Sequence, residues 1–115
     1  TNSQMTWKAM NSAAILNIKT LASKYGCKVM VCEVGVKASA SEIATSTQCL
    51  TDFMNSVKSL SVCAGVFYWE PQVDGKWRPA IYEKQGRNWG AYDMGAFTSD
   101  GSAITPTSIL SAFGE

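Results

Sequence analysis

Glu33 is the residue whose setting most clearly indicates chemistry, because it directly follows an almost wholly apolar run at residues 28–32. A short apolar run rich in valine is typical of a strand buried on both faces of a parallel sheet. Glu33 would then lie at the C-terminal end of that strand, where barrels and open α/β sheets place their active sites. A carboxylate there can do nucleophilic chemistry, or it can cap a helix or pair with a cation at the sheet edge.

Trp69 and Glu70 lie at the matching end of a second apolar run, residues 62–69. A tryptophan at a strand end can form the apolar floor of a sugar subsite, or it can fill the mouth of a barrel. Glu33 and Glu70 could form a glycosidase pair, because retaining pairs have carboxyl groups about 5–5.5 Å apart and neighbouring strands lie about 4.8 Å apart.

The segment that follows, residues 72–102, carries several aromatic side chains between glycine-containing turns. They could line a carbohydrate cleft or pack this long loop against the body of the protein; they are Trp77, Tyr82, Trp89 and Tyr92. The aspartates of the segment match no EF-hand loop, and turn formation explains each of them. We expect no metal ion and no cofactor.

The chain contains no histidine and four cysteines. A Ser-His-Asp or Cys-His centre therefore cannot be assembled from this chain alone. No CxxC pair is present, which makes a structural zinc site improbable. Cys32 and Cys63 lie inside the apolar runs, and we expect free thiols that behave as small buried apolar groups rather than disulfides.

Helices are predicted on either side of the first strand. Apolar residues recur at spacings of three and four over residues 4–25, and Gly26 follows as a helix stop. Ser39 and Glu42 fit a capping box that opens a second helix running to about Leu60. The resulting order, helix, strand, helix, strand, is the repeating unit of a barrel or of an open doubly wound sheet.

The apolar faces of these helices can be read from the same spacing. Ile43, Thr47, Leu50, Met54 and Val57 would line the second helix, and Trp7, Met10, Ala14, Ile18, Leu21 and Tyr25 the first. After residue 102, a last short helix is expected, with Thr105 as its cap and Pro106 in its first turn. Ile109, Leu110 and Phe113 would dock it.

Length and composition limit what this chain can be. Its 115 residues suffice for one domain, whereas a complete (β/α)8 barrel needs roughly 250 residues. The net charge of +1 gives no reason to expect a nucleic-acid partner. No apolar run approaches the roughly 20 residues that cross a bilayer.

Three stretches of the sequence resemble a known family. The runs YGCKVMVCEVG, GVFYWEP and WGAYDMGAFTSDGSAITPTSILSAF are similar to the C-terminal part of the arabinogalactan endo-β-1,4-galactanases, glycoside hydrolase family 53. The resemblance covers about residues 25–113. It implies that residues 1–115 form the C-terminal portion of one TIM (β/α)8-barrel catalytic domain, from helix 6 to the final helix.

The resemblance also implies roles for individual residues. Glu33 would be the catalytic nucleophile at the end of strand seven, and Trp69 the aromatic residue beneath the sugar at the end of strand eight. Glu70 would bind substrate or support the site. From the aromatic pattern of the long loop, and not from the resemblance, we expect Trp77 and Trp89 to bind substrate as well. The acid/base glutamate of the family, on strand four, has no counterpart here, so we expect this chain alone to be inactive.

The implied substrate is β-1,4-galactan or a related polysaccharide, and the implied location is extracellular or periplasmic. A barrel hydrolase for another β-linked polysaccharide and a non-catalytic carbohydrate-binding fragment are the alternatives. The residues after the nucleophile, Val34-Gly35-Val36-Lys37, depart from the family pattern and bear on the substrate. Because two strands alone leave apolar faces open, we also expect self-association or completion by the missing part of the barrel.

Overall fold

The computed structural model describes residues 6–73, 80–86 and 94–114. The elements follow in the order α1 (Trp7–Tyr25), β1 (Val29–Val34), α2 (Ile43–Lys58), β2 (Cys63–Tyr68), α3 (Ala80–Lys84), β3 (Phe97–Ser99), β4 (Ile104–Pro106) and a 3₁₀ helix (Ser108–Phe113). Strands β1 and β2 pair in parallel, which confirms the predicted helix, strand, helix, strand unit. A closed barrel is not formed by the described residues, whose strands make two separate two-stranded sheets.

Helix α1 begins and ends with conventional caps. The Thr6 hydroxyl accepts a hydrogen bond from the amide of Ala9 at 3.3 Å, and Gly26 ends the helix in the left-handed conformation with φ of 61°. The predicted stop at Gly26 is therefore confirmed. The packing face differs from the prediction, because Met10, Leu21 and Tyr25 are exposed; the residues that do pack inward are Ala14, Ile15, Ile18 and Ala22.

Helix α2 carries most of the core. Leu50, Met54 and Val57 are buried as its apolar spacing predicted. The predicted capping box is wrong, because Glu42 makes no side-chain bond to a helix amide. Its carboxylate instead accepts a 2.6 Å hydrogen bond from the Ser39 hydroxyl and lies 3.8 Å from the Lys37 ammonium group.

The core lies between the helices and one face of the β1–β2 pair. Half-buried Val31, Val66 and Tyr68 of the strands pack against the buried residues of α2 and the 3₁₀ helix. The opposite face is open, so the expectation of strands buried on both faces is wrong for the described residues. Met30 is 47% exposed, and Cys32 is exposed as well.

All four cysteines are free thiols, as expected, but Cys32 is not the buried apolar group that its position in the strand suggested. Its side chain lies on the open face of the sheet, where no described element covers it.

The C-terminal segment closes the other side of the core. Strands β3 and β4 form a short antiparallel pair, joined through Asp100 and Gly101. The last helix is capped by Thr107, whose hydroxyl accepts from the amide of Ile109, and not by Thr105. Thr105 and Pro106 belong to β4 instead, because they pair with Thr98 and Phe97. Ile109 is fully buried and docks the helix as predicted.

Within the described ranges, no helix has both the length and the apolar character needed to cross a membrane.

Candidate functional site

Glu33 lies at a β-bulge near the C-terminal end of β1. Val31 pairs with Val66 and Val34 with Tyr68, so three steps along β1 match two steps along β2. Regular strand alternation would put Val29, Val31 and Glu33 on one side, but the bulge interrupts it, so Val34 packs inward while Glu33 is exposed. Bulges re-aim a side chain at strand ends and are common beside active sites.

Trp69 lies beside this end of β1, directly after the neighbouring strand β2. Its backbone amide donates a 2.9 Å hydrogen bond to the carbonyl oxygen of Val34, the residue that follows Glu33. The indole is 45% exposed. The structure thus brings the backbones of Glu33 and Trp69 to the same edge of the sheet, as parallel pairing predicted.

Glu70 turns the chain away from the sheet. It has a φ of 44°, which is the left-handed region that side chains other than glycine rarely adopt, and its carbonyl accepts from the amide of Val73. Such a conformation costs on the order of 1 kcal/mol or more and clusters at functional sites. Glu70 is half-buried, next to the exposed Trp69.

The side chain of Tyr68 lies on the core side of β2, and its hydroxyl holds two loops. Its hydroxyl oxygen lies 3.2 Å from the amide nitrogen of Val36 and 2.7 Å from the carbonyl oxygen of Met94. Its ring packs edge-on against Phe113 with centroids 6.2 Å apart. Burial raises the pKa of the Tyr68 phenol, so the group stays protonated and able to donate at neutral pH.

The segment after Glu70 is held against the residues that precede β3. The amide of Ala96 donates to the carbonyl oxygen of Pro71 at 2.6 Å. Gly95 is buried between them, and a β-carbon there would collide with the carbonyl oxygen of Val73. This close approach of two backbone segments requires glycine.

A cavity of about 310 Å³ opens between β1, α1 and α2. Glu33 is among its lining residues, but most of the others are apolar, including Met10, Val31 and Phe53. A sugar needs several hydrogen-bonding partners, so this cavity does not suit a carbohydrate. The exposed edge that carries Trp69 is the better surface for one.

Two of the predicted site residues lie outside the described residues, namely Trp77 and Trp89. The same holds for Tyr92 and for the side chain of Tyr82. Of the predicted site, the structure therefore brings together Glu33, Trp69 and Glu70 at one sheet edge.

The sequence pattern matches a family profile described as glycosyl hydrolase family 53 over residues 4–110, which is nearly the whole chain. This chain belongs to glycosyl hydrolase family 53. Comparison with curated proteins and with solved structures gives no significant match.

Membership of family 53 makes the chain a member of a glycoside hydrolase family and implies a TIM-barrel fragment. The parallel pair β1–β2 with α2 between its strands agrees with that architecture, because strand, helix, strand is the barrel's repeating unit. The described residues contain no group of three or more His, Cys, Asp or Glu side chains placed to hold a metal ion.

Three features of the candidate site were missed by reasoning from sequence. The bulge at Glu33 has no marker in the alternation of apolar residues, and Gly95 could not be told from an ordinary turn glycine. Tyr68 lies within the GVFYWEP motif, but its two hydrogen-bonding partners are 32 and 26 residues away along the chain. The motif contains Tyr68 but gave no sign of this role.

Proposed function

We propose that this chain is the C-terminal part of a retaining, endo-acting glycoside hydrolase that cleaves β-1,4-galactan or arabinogalactan side chains, with Glu33 as its nucleophile. The observation that carries the proposal is the placement of Glu33. It lies on a bulge at the C-terminal end of a parallel strand, exposed, with the strand end bonded to Trp69. That edge is where barrel enzymes place their catalytic residues.

Supporting roles fall to the residues around this edge. We assign Trp69 the apolar platform beneath the sugar ring, because an exposed indole can stack against its C–H face. Glu70 binds a sugar hydroxyl or holds the turn that presents Trp69. Trp77 and Trp89 are proposed to extend the binding surface.

The proposed reaction is a double displacement. An oxygen of the Glu33 carboxylate forms a bond to the anomeric carbon while the glycosidic carbon–oxygen bond breaks, and a second carboxyl group protonates the departing oxygen. Water then attacks the same carbon, the second carboxylate takes its proton, and the bond to Glu33 breaks to restore the carboxylate. No metal ion or cofactor takes part.

We place the acid/base carboxyl group outside these 115 residues. Glu33 and Glu70 do occupy adjacent strand ends, but Glu70 is half-buried in a strained turn, which suits a positioned support better than a group that changes protonation in each cycle. The 115-residue chain alone should then be inactive, and activity should need the rest of the barrel. Its polysaccharide substrate implies an extracellular or periplasmic location.

The test is Glu33→Gln in the complete gene product that contains this chain. Turnover of β-1,4-galactan should fall by roughly 10³-fold or more, since the nucleophile acts in both steps. Glu42→Gln is the matched control, because the Glu42 carboxylate contacts only Ser39 and Lys37 among the described residues. Undiminished turnover in Glu33→Gln would refute the assignment.

The substrate is tested separately. Galactan, mannan, xylan and cellulose offered to the same protein should show hydrolysis of galactan well above the other three. A preference for another polymer would retain the mechanism and change the substrate. Binding of galactan with no hydrolysis by the complete protein would favour a non-catalytic carbohydrate-binding fragment.

A further inference from the structure

The loop that follows Glu33 is held by Tyr68, the last residue of β2, and by Trp69, which comes directly after it. The amide of Trp69 donates to the carbonyl oxygen of Val34 at 2.9 Å, and the hydroxyl of Tyr68 lies 3.2 Å from the amide of Val36. Gly35 lies between these two anchors. The chain immediately after Glu33 is therefore fixed on both sides of its most permissive residue.

The direction of the Tyr68 hydrogen bonds follows from its single proton. Three backbone atoms lie within reach of the hydroxyl oxygen, namely the carbonyl oxygen of Met94 at 2.7 Å, the amide of Val36 at 3.2 Å and the carbonyl oxygen of Val36 at 3.3 Å. The proton goes to the nearest acceptor, Met94, and the oxygen then accepts from the amide of Val36. Tyr68 is thus a bridge between two loops.

This bridge matters because the bulge removes the usual support of Glu33. Ladder pairing is regular at Val31 and resumes at Val34, and a bulge leaves the intervening residues of its strand unpaired. The position of Glu33 then depends on what holds the chain on its C-terminal side. Two hydrogen bonds hold the chain there. The bond at Val34 is made by the backbone of Trp69, and the bond at Val36, two residues further from Glu33, is made by the side chain of Tyr68.

We propose that Tyr68 is the positioning residue for Glu33: its hydroxyl, bridging Val36 and Met94, fixes the loop that aims the Glu33 carboxylate. The proposal rests on the proposed function of Glu33 as nucleophile. Tyr68 does not touch the substrate, since its side chain lies on the core side of β2, packed against Phe113.

The first test is Tyr68→Phe in the complete gene product. The ring and its packing against Phe113 remain, and only the hydroxyl bridge is lost. We expect kcat to fall roughly 10- to 100-fold with KM nearly unchanged, because a small misplacement of a reacting group costs that much. Ser56→Ala is the control, since it removes one 2.9 Å bond from a hydroxyl to a backbone carbonyl oxygen, that of Asp52, inside α2.

Chemical rescue separates positioning from general damage. In Glu33→Ala, with an activated aryl β-glycoside as the substrate, azide can act in place of the missing carboxylate. A nitrogen atom of azide bonds to the anomeric carbon as the aryl oxide leaves. If Tyr68 acts by aiming Glu33, adding Tyr68→Phe should leave this azide-dependent rate unchanged. If Tyr68→Phe lowers the azide-dependent rate as much as it lowers the rate of the protein that keeps Glu33, the proposal is overturned, because Tyr68 would then support the site as a whole.

The two hypotheses fail differently. Full activity of Glu33→Ala without azide would remove Glu33 as the nucleophile, whatever Tyr68 does. Normal kcat in Tyr68→Phe alongside an inactive Glu33→Ala would overturn the Tyr68 proposal alone. Should Tyr68→Phe not fold, hydrogen exchange in the unaltered protein decides: the Val36 amide should be protected, and exchange at the rate of a free loop amide would overturn the proposal.

Discussion

Gly95 packs directly against the backbone of Val73, so closely that a β-carbon on Gly95 would collide with the Val73 carbonyl oxygen. This contact joins the turn after Trp69 to the segment that leads into β3. It is reinforced by the hydrogen bond from Ala96 to Pro71. The sheet edge that carries the proposed site is therefore built from segments far apart in sequence.

Gly95→Ala should destabilise the protein. A β-carbon at this position also meets the carbonyl oxygen of Pro71 at 3.1 Å, and these are backbone atoms that cannot rotate away. We expect a loss of about 1–3 kcal/mol in the free energy of unfolding, as for overpacked interiors. Urea unfolding followed by circular dichroism measures it.

Gly65→Ala is the control for Gly95→Ala, because a β-carbon at position 65 would meet, within the described part of the chain, only the flexible end of Met30 at 3.9 Å. It should change stability by less than about 1 kcal/mol, since alanine is at least as favourable as glycine in a strand. Equal losses in the two variants would show that the approach to Val73 is not what requires glycine at position 95.

Asp100 should make the hairpin between β3 and β4 sensitive to acid. Hydrogen bonds from the amides of Ser102 and Ala103, and from the Ser102 hydroxyl, lower the pKa of the Asp100 carboxyl from 3.8 to about 2. Because the folded pKa is the lower one, the stabilisation is complete above pH 3.8 and is lost as the pH falls to about 2.

The measurement for Asp100 is an NMR titration of the Ser102 and Ala103 amide protons, whose shifts should move with a midpoint near the lowered pKa. Asp100→Asn keeps an acceptor oxygen but has no titrating group, so its amide shifts should stay constant through this range. Asp100→Ala should loosen the turn at every pH. A midpoint at the ordinary pKa of aspartate would contradict the hydrogen-bonding pattern.

The open face of the β1–β2 sheet should drive association of the isolated chain. Its exposed apolar side chains include Met30, 47% exposed, Phe67, 58% exposed, and Trp69, 45% exposed. Apolar side chains grouped on an uncovered sheet favour contact with another surface. Light scattering over a range of concentrations should show species larger than a monomer.

Phe67→Thr should weaken that association by roughly 10-fold, because it removes a large aromatic anchor while keeping a residue that favours strands. Leu16→Gln serves as the control, since Leu16 is 63% exposed but lies on α1, away from the open face. If the unaltered chain stays monomeric at high concentration, the expected association through the open face is contradicted.

Much of the local structure was predictable from the sequence because it depends on neighbours along the chain. The apolar run before Glu33, the helix stop at Gly26 and the spacing of Leu50, Met54 and Val57 each reflect backbone geometry repeated over a few residues. The family resemblance adds the GVFYWEP motif, and family membership is confirmed over residues 4–110.

Two of the errors arose because another interaction replaced a predicted helix cap, a local one at Glu42 and pairing with another strand at Thr105. Ser39 and Glu42 have the residue types of a capping box, yet the carboxylate bonds to the Ser39 hydroxyl and faces Lys37 instead of capping α2. Thr105 looks like a helix cap, but pairing with Thr98 takes it into β4.

The sequence by itself determined that Glu33 lies near the C-terminal end of one strand and that Trp69 lies at the matching end of the next. The tertiary structure alone decided that β1 bulges at Glu33, that Tyr68 bridges Val36 and Met94, and that Gly95 lies against Val73. Strand and helix periods report only which residues are apolar and how far apart they lie. Register, bulges and contacts between distant loops depend on how whole elements pack against each other. That packing involves residues that are far apart in the sequence, so no local pattern reports it.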